Sequence, residues 1–144
     1  MEKLLRVCQR EQCIGCYSCM YSCSRVWSGA ITPEKAALRV RNYSGVEGAF
    51  SIRACYGCDD PDCVKPCPTQ AVTHRQGGGV QLDESKCIHC GKCISACVPK
   101  ALQWDSEKKH PIPCRHCGIC VVFCPNSVLE MAAPAPAGEA GGKA

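Results

Sequence analysis

The sequence predicts a small α+β fold in which short strands and short helices, arranged as tandem modules, wrap around cysteine-bound centres rather than an apolar core. Three observations predict it. Sixteen of the 17 cysteines fall into four motifs of one kind. Aromatic residues make up only 6% of the chain, so the 46% hydrophobic content leans on cysteine and leaves little for conventional packing. Between the motifs, short stretches alternate apolar and polar residues, as half-buried strands do.

The clearest motif is C-I-H-C-G-K-C-I-S-A-C, with Cys87, Cys90, Cys93 and Cys97 spaced two, two and three residues apart. Three thiolates this close can grip three corners of one iron–sulfur cube, because each C-x2-C step lets the chain curl around it. The fourth sits one helical turn beyond the third and points away, placed to ligate a second cluster as in two-cluster ferredoxins. Zinc takes four ligands and typically draws them as two separated pairs, so a structural zinc protein is the weaker alternative. The other motifs are Cys13, Cys16, Cys19 and Cys23; Cys55, Cys58, Cys63 and Cys67, followed by Pro68; and Cys114, Cys117, Cys120 and Cys124, followed by Pro125. Only Cys8 lies outside them, and it is expected to be a small buried apolar residue.

A chain of 144 residues makes one domain or two very small ones. With so thin an apolar core, the clusters are expected to fill the interior and the apo chain to fold poorly, because metal binding and folding are coupled when the unfolded chain holds no site. Cysteine this dense means either a secreted disulfide scaffold or metal binding in a reducing compartment. The start, M-E-K-L-L-R-V-C-Q-R, has no apolar h-region, and no apolar run approaches the ~20 residues of a membrane span. The expected location is therefore the cytoplasm. The formal charge is +4. Each thiolate-bound cluster carries roughly −2, so four bring about −8 and the loaded protein about −4. Lys65, Lys86, Lys92 and Arg115 lie in or beside the motifs, where they either offset cluster charge or are ordinary solvated side chains. No basic stripe with interleaved aromatics occurs, which argues against nucleic-acid binding.

In order along the chain, residues 3–8 read as a strand leading into the first motif, and 17–27 as a helix continuing from it. Ile31-Thr32-Pro33-Glu34 reads as a turn. Residues 37–43 and 49–54 alternate around the turn at 44–48, giving a hairpin without ligands that is expected to cover a cluster, with contact to a partner as the alternative. In the second motif, Asp59-Asp60-Pro61-Asp62 widens the middle spacing to four. Residues 70–75 and 80–83 flank Gly77-Gly78-Gly79 as a second hairpin leading straight into Cys87. Motif, hairpin and motif is the plan of a two-cluster ferredoxin. Residues 101–104 and 110–113 repeat the plan around a turn at 105–108, and 127–131 form a closing strand. Residues 132–144 are Ala/Pro/Gly-rich and read as a disordered tail.

The motifs between residues 13 and 125 resemble the four-cluster ferredoxin subunits that serve molybdenum and tungsten oxidoreductases, of the dimethyl-sulfoxide-reductase electron-transfer type. The second motif, C-x2-C-x2-P-x-C-x3-C-P from Cys55 to Pro68, carries the resemblance most specifically. In that family the first motif pairs with the fourth and the second with the third. The resemblance therefore implies four [4Fe–4S] sites: Cys13, Cys16, Cys19 with Cys124; Cys114, Cys117, Cys120 with Cys23; Cys55, Cys58, Cys63 with Cys97; and Cys87, Cys90, Cys93 with Cys67. Spacing alone supports only the second–third exchange, and pairing of the first motif with the second is the alternative. The implied organisation is one polyferredoxin domain over 1–131, with the first and fourth motifs around a central 55–97 unit. The short chain and compact fourth motif look most like the small polyferredoxin subunits of cytoplasmic tungsten aldehyde oxidoreductases. In those systems the partners are a large tungsten- or molybdenum-pterin catalytic subunit and a flavin/NAD-binding subunit.

Nothing in the sequence supplies substrate chemistry: it has no nucleotide loop and no acid–base pair set apart from the cysteines. The expected function is conduction, by a non-catalytic subunit of a complex or by a free diffusible polyferredoxin serving several enzymes. Clusters exposed at both ends would also permit end-to-end self-association. Backbone N–H groups near Gly15, Gly57, Gly91 and Gly118 are candidate donors to cluster sulfur. His89 and His116 each precede a second cysteine; they are expected to be exposed, with tuning of cluster potential as the alternative role.

Overall fold

In the computed structural model, which describes residues 3–43 and 45–134, eleven regular elements follow one another. They are β1 (Leu4–Val7), α1 (Ser18–Ser28), β2 (Arg39–Asn42), β3 (Phe50–Arg53), β4 (Val72–His74), β5 (Val80–Leu82), α2 (Lys92–Ala96), β6 (Gln103–Asp105), β7 (His110–Ile112), α3 (Ile119–Val122) and β8 (Leu129–Ala132). Single 3-10 turns at Arg10–Gln12, Pro33–Lys35 and Glu84–Lys86 precede three of the strands or motifs. The expected strands and the long helix all form, which makes this a small α+β protein. Residues 135–144 of the expected tail lie outside the described residues.

The strands pair only two by two, always antiparallel: β1 with β8, β2 with β3, β4 with β5 and β6 with β7. Three pairs are local hairpins. The fourth joins the ends of the described chain, with Leu5 opposite Met131 and Val7 opposite Leu129. An isolated two-stranded ribbon is marginal in water, so these ribbons depend on what lies between them.

Two apolar cores lie between the ribbons, each built largely from cysteine and small aliphatic residues. The first gathers Leu5, Met20, Leu38, Val40, Ile52, Ile112 and Leu129 with Cys23, Cys114 and Cys120. The second gathers Val72, Val80, Ala101 and Leu102 with Cys63, Cys93 and Cys97. The first core thus unites the first and fourth motifs, and the second core the second and third.

Local chemistry fixes the element ends. Gly29, at φ 73°, closes α1 with its N–H on the Arg25 carbonyl at 2.9 Å, the left-handed cap that glycine adopts without a Cβ penalty. Ser24 is fully buried inside that helix. Its hydroxyl donates to the Tyr21 carbonyl and accepts the Thr32 N–H, pinning the segment after the helix back onto it. Asp105 ends β6, and its carboxylate accepts the N–H groups of Glu107 and Lys108 at 2.9 and 3.0 Å. Burial opposes ionisation of Asp105, but those two donors outweigh it and its pKa is lowered. Among the described residues, no helix is long and apolar enough to cross a membrane.

Candidate metal centres

The four motifs share a backbone design that side-chain identity conceals. The second residue after each motif's first cysteine is left-handed: Gly15, Gly57, His89 and His116, at φ 67°, 66°, 61° and 51°. In the first, third and fourth motifs the residue after the second cysteine is left-handed too: Tyr17, Gly91 and Gly118. Those three residues are the N-caps of α1, α2 and α3. In these three motifs the triple therefore bends twice and then enters a helix, which leads to the fourth cysteine one turn past the third; the second motif enters no helix. After the second, third and fourth motifs a further left-handed residue, Gln70, Lys100 or Ser127, ends the turn.

The thiols collect into four sets. Cys13, Cys16, Cys19 and Cys124 line one cavity, closed by Val40, Ile52, Val128 and Leu129. The β2–β3 hairpin thus covers a site, as its alternation suggested. Cys67, Cys87, Cys90 and Cys93 line a second cavity with Trp104 and Pro111. Cys63 is pushed up to about 12 by burial and by the neighbouring Cys97, Cys55 and Cys58 thiols, which makes these four a third set. Cys120 is pushed up to about 12 by burial, then by Cys23, Cys19 and Cys117; Cys114 is raised by burial, then by Cys55, Cys120 and Cys23. Cys23, Cys114, Cys117 and Cys120 are grouped as the fourth set, with Cys19 and Cys55 of other sets beside them. Grouped in this way, each set combines three cysteines of one motif with the fourth cysteine of another.

The donor chemistry of these groupings fits an iron–sulfur cluster, which takes cysteine thiolates. In the two cavities four thiols share one lining, the all-cysteine donor set that a [4Fe–4S] core takes. Backbone donors already point at sulfur. Ala71 and Val128 donate to Cys67 and Cys124 at 3.2 and 3.3 Å, each from four residues downstream across the Cys-Pro turn. Cys23 sits within a continuing helix and lacks that turn; Ala37 donates to it instead, at 3.2 Å from fourteen residues away. His116 N–H donates to Cys114 at 3.4 Å. Burial raises the Cys67 pKa, but the N–H groups of Val72 and Ala71 outweigh it and the net shift is downward.

The sequence located the cysteines and Gly57, whose N–H acts on Cys55. It missed Ala37, Ala71 and Val128, since a backbone donor leaves no mark in residue type. Two expectations are corrected. Cys8 is exposed, not buried: it stands at the exit of β1, with its thiol on the Ser127 and Val128 carbonyls at 3.3 Å. His116 is buried, only 6% exposed, because β1 lies across it and its Nδ1 accepts the Leu5 N–H at 3.0 Å. Burial, then Arg75 and Arg6, lower its pKa to about 4. His89 is exposed as expected, its Nδ1–H donating to the Lys109 carbonyl at 2.7 Å. Of the basic residues, Lys65 pairs with Asp60 and Asp62 at 2.9 and 2.7 Å, and Arg115 stacks 3.8 Å over Trp27.

Family profiles of the 4Fe-4S binding domain match residues 80–97 and, separately, residues 10–27 and 113–129, the stretches that carry the third, first and fourth motifs. The chain is 38% identical over 91 residues to the polyferredoxin-like subunit of an aliphatic sulfonate oxidoreductase of Pyrococcus furiosus, covering 62% of this chain and 51% of that one. It is 32% identical over 117 residues to a chain of the anaerobic dimethyl sulfoxide reductase of Escherichia coli, covering 72% and 56%. It is 35% identical over 92 residues to a subunit of the tetrathionate reductase of Salmonella typhimurium, covering 60% and 37%. The chain spans about half the length of the first two of these relatives, and less of the third. It carries 4Fe-4S binding domains at the first, third and fourth motifs, with cysteines enough for four [4Fe–4S] clusters.

Proposed function

We propose that this chain is the electron-transfer subunit of a cytoplasmic oxidoreductase complex, non-catalytic in itself. It relays electrons one at a time between a tungsten- or molybdenum-pterin catalytic subunit and a flavin/NAD-linked subunit. What supports the reading is that fourth cysteines lie among the thiols of another motif, which would join the sets in two pairs, and that Cys55 lies beside Cys114, which would set the two pairs in one row. Cys13, Cys16, Cys19 and Cys124 would hold the first cluster, and Cys23, Cys114, Cys117 and Cys120 the second. Cys55, Cys58, Cys63 and Cys97 would hold the third, and Cys67, Cys87, Cys90 and Cys93 the fourth. A bound cluster supplies one-electron exchange; the protein supplies thiolates, N–H donors and exclusion of water.

The ends of the row support a relay. Cys16 of the first set and Cys90 of the fourth are exposed, as is Cys117 of the second. Tyr21, Val26, Ile31, Val122 and Phe123 give the α1–α3 end an apolar face, and Ile88 and Val98 are exposed near the other end. Apolar exposure of this kind marks surfaces for partner chains, whether a catalytic subunit, a flavin subunit or another copy stacked end to end. The likeness to single chains of dimethyl sulfoxide and tetrathionate reductases supports a pterin-enzyme partner. The tungsten aldehyde oxidoreductase as the particular system rests on the resemblance of the compact fourth motif, Cys114 to Pro125.

Anaerobic purification of the untagged protein from its native cells, with iron, tungsten, molybdenum and flavin measured in the same fraction, tests this reading. Roughly sixteen iron atoms per chain are expected, together with tungsten or molybdenum and a large co-purifying subunit. The same iron without a second metal or partner would replace the complex with a free polyferredoxin, and zinc without acid-labile sulfide would overturn both.

A further inference from the structure

We propose that His116 is a positioning residue that locks the site around Cys114 against the site around Cys55, and so governs electron passage between the two halves of the row. The proposal rests on the four-cluster function above.

The corresponding position in the other motifs is Gly15, Gly57 or His89, all left-handed like His116. A glycine therefore suffices to make the loop, and the imidazole at 116 has another purpose. His89 lies in the open, but His116 is buried where the two halves meet. Its Nδ1 accepts the Leu5 N–H of β1 at 3.0 Å, and its own N–H donates to Cys114 Sγ at 3.4 Å. The acceptor role of Nδ1 puts the ring proton on Nε2, which is buried without a hydrogen-bond partner.

The far edge of the ring meets the other half of the molecule. A Cβ on Gly79 would stand 2.9 Å from His116 Nε2, a Cβ on Gly78 2.8 Å from the Gly57 carbonyl, and a Cβ on Gly57 2.6 Å from Leu4 Cδ1. Glycines on the second-motif side thus let Leu4 and His116 approach to contact. Arg6 donates to the Tyr56 carbonyl at 3.2 Å, and Arg75 to the Arg115 carbonyl, bracing the same seam. Cys55 packs against the first core, which holds Cys114, whereas Cys63, Cys93 and Cys97 belong to the second. The seam that His116 fills is therefore where the second and third thiol sets adjoin.

His116→Gly and His116→Asn, made in the full chain and loaded anaerobically, separate positioning from plain stability. Glycine is native at this place in two motifs. Asparagine tolerates the left-handed backbone, and its Oδ1 can stand where Nδ1 accepts Leu5. The readouts are iron content, the EPR spectrum of the fully reduced protein and the midpoint potentials. Wild type and both variants are expected to hold the same iron. His116→Gly is expected to lose the spectral splitting that arises between the outer and inner pairs and to shift the potentials of the second and third clusters. His116→Asn should restore part of both. Gly79→Ala, which presses on Nε2 from the opposite side, should reproduce the glycine variant's spectrum. Unchanged spectra and potentials in iron-replete His116→Gly would overturn the proposal; if that variant loses its iron, unchanged spectra in Gly79→Ala would do so. A wild type holding far fewer than sixteen irons would instead be a failure of the four-cluster function.

Discussion

Replacing Gly15 by alanine would measure how tightly the first thiol-lined cavity is roofed. Gly15 lies between Cys13 and Cys16 at φ 67°, and a Cβ there would stand 2.3 Å from Phe50 Cε1 and Cζ. Two costs add. An L-residue in the left-handed region costs about 1–2 kcal/mol. The Phe50 ring must also swing away. Truncating a fully buried phenylalanine costs about 3–5 kcal/mol, and Phe50 is only half-buried, so displacing it should cost about 1.5–2.5 kcal/mol. Gly91, at φ 71° with nothing within 4 Å of an added Cβ, would bear only the first cost. The difference is worth about tenfold or more in a rate. The assay is anaerobic release of iron to a chelator, followed as the fraction lost in the fastest phase. Gly15→Ala should shed about a quarter of its iron, one cluster of four, at least about tenfold faster than Gly91→Ala sheds any. Adding Phe50→Ala to Gly15→Ala should return the rate toward that of the Gly91 variant. Equal rates in the two single variants, or no relief in the double, would refute the steric reasoning.

Further expectations follow from the same geometry. Cys124→Ala should empty the site that Cys16→Ala empties, although the residues are far apart in sequence, and Cys120→Ala a different one; EPR signatures of the three variants decide it. Leu5, 2% exposed, sits under both β8 and His116, so Leu5→Ala should cost about 2–5 kcal/mol, seen as a lower melting temperature of the loaded protein. The depressed pKa of His116 means the unfolded chain takes up its proton first, so stability should fall as pH drops from about 6.5 toward about 4, less steeply in His116→Asn. In the metal-free chain the raised thiols of Cys19, Cys63 and Cys120 keep protons that the unfolded chain would release, so residual structure should weaken as pH rises above about 9. Circular dichroism against pH measures both effects.

Much of this was legible in the sequence because cysteine spacing is a geometric instruction. Two short steps curl a chain around a centre, and a three-residue step sends the last thiol away. The hairpins were legible from alternation, as with Val40 and Ile52 facing inward from β2 and β3. What escaped was whatever depends on the partner surface. Cys8 reads like any small apolar residue, yet the chain leaves β1 there and exposes it. His116 and His89 occupy the same place in their motifs and differ only because β1 crosses one and not the other. The donor to Cys23 comes from Ala37, in a segment with no cysteine, because α1 runs on past the turn that supplies the donor elsewhere.

The pairing of β1 with β8, and of Cys124 with the thiols of the first motif, also fixes an order of manufacture. While the chain emerges from the ribosome, Cys13, Cys16 and Cys19 are made early but their cavity lacks a wall until Cys124, Val128 and Leu129 exist. The second and third motifs are complete in sequence before the fourth has been made. The inner pair of sites can therefore be furnished on a nascent chain, whereas the outer pair must wait until the fourth motif has been made. On the proposed ligand sets, a cell that loads this protein would have to hold the first cysteines reduced and unclaimed through that interval, and a transcript cut short within the fourth motif would yield a chain that has every thiol of its inner sites but lacks Cys124 and the core that Cys55 packs against.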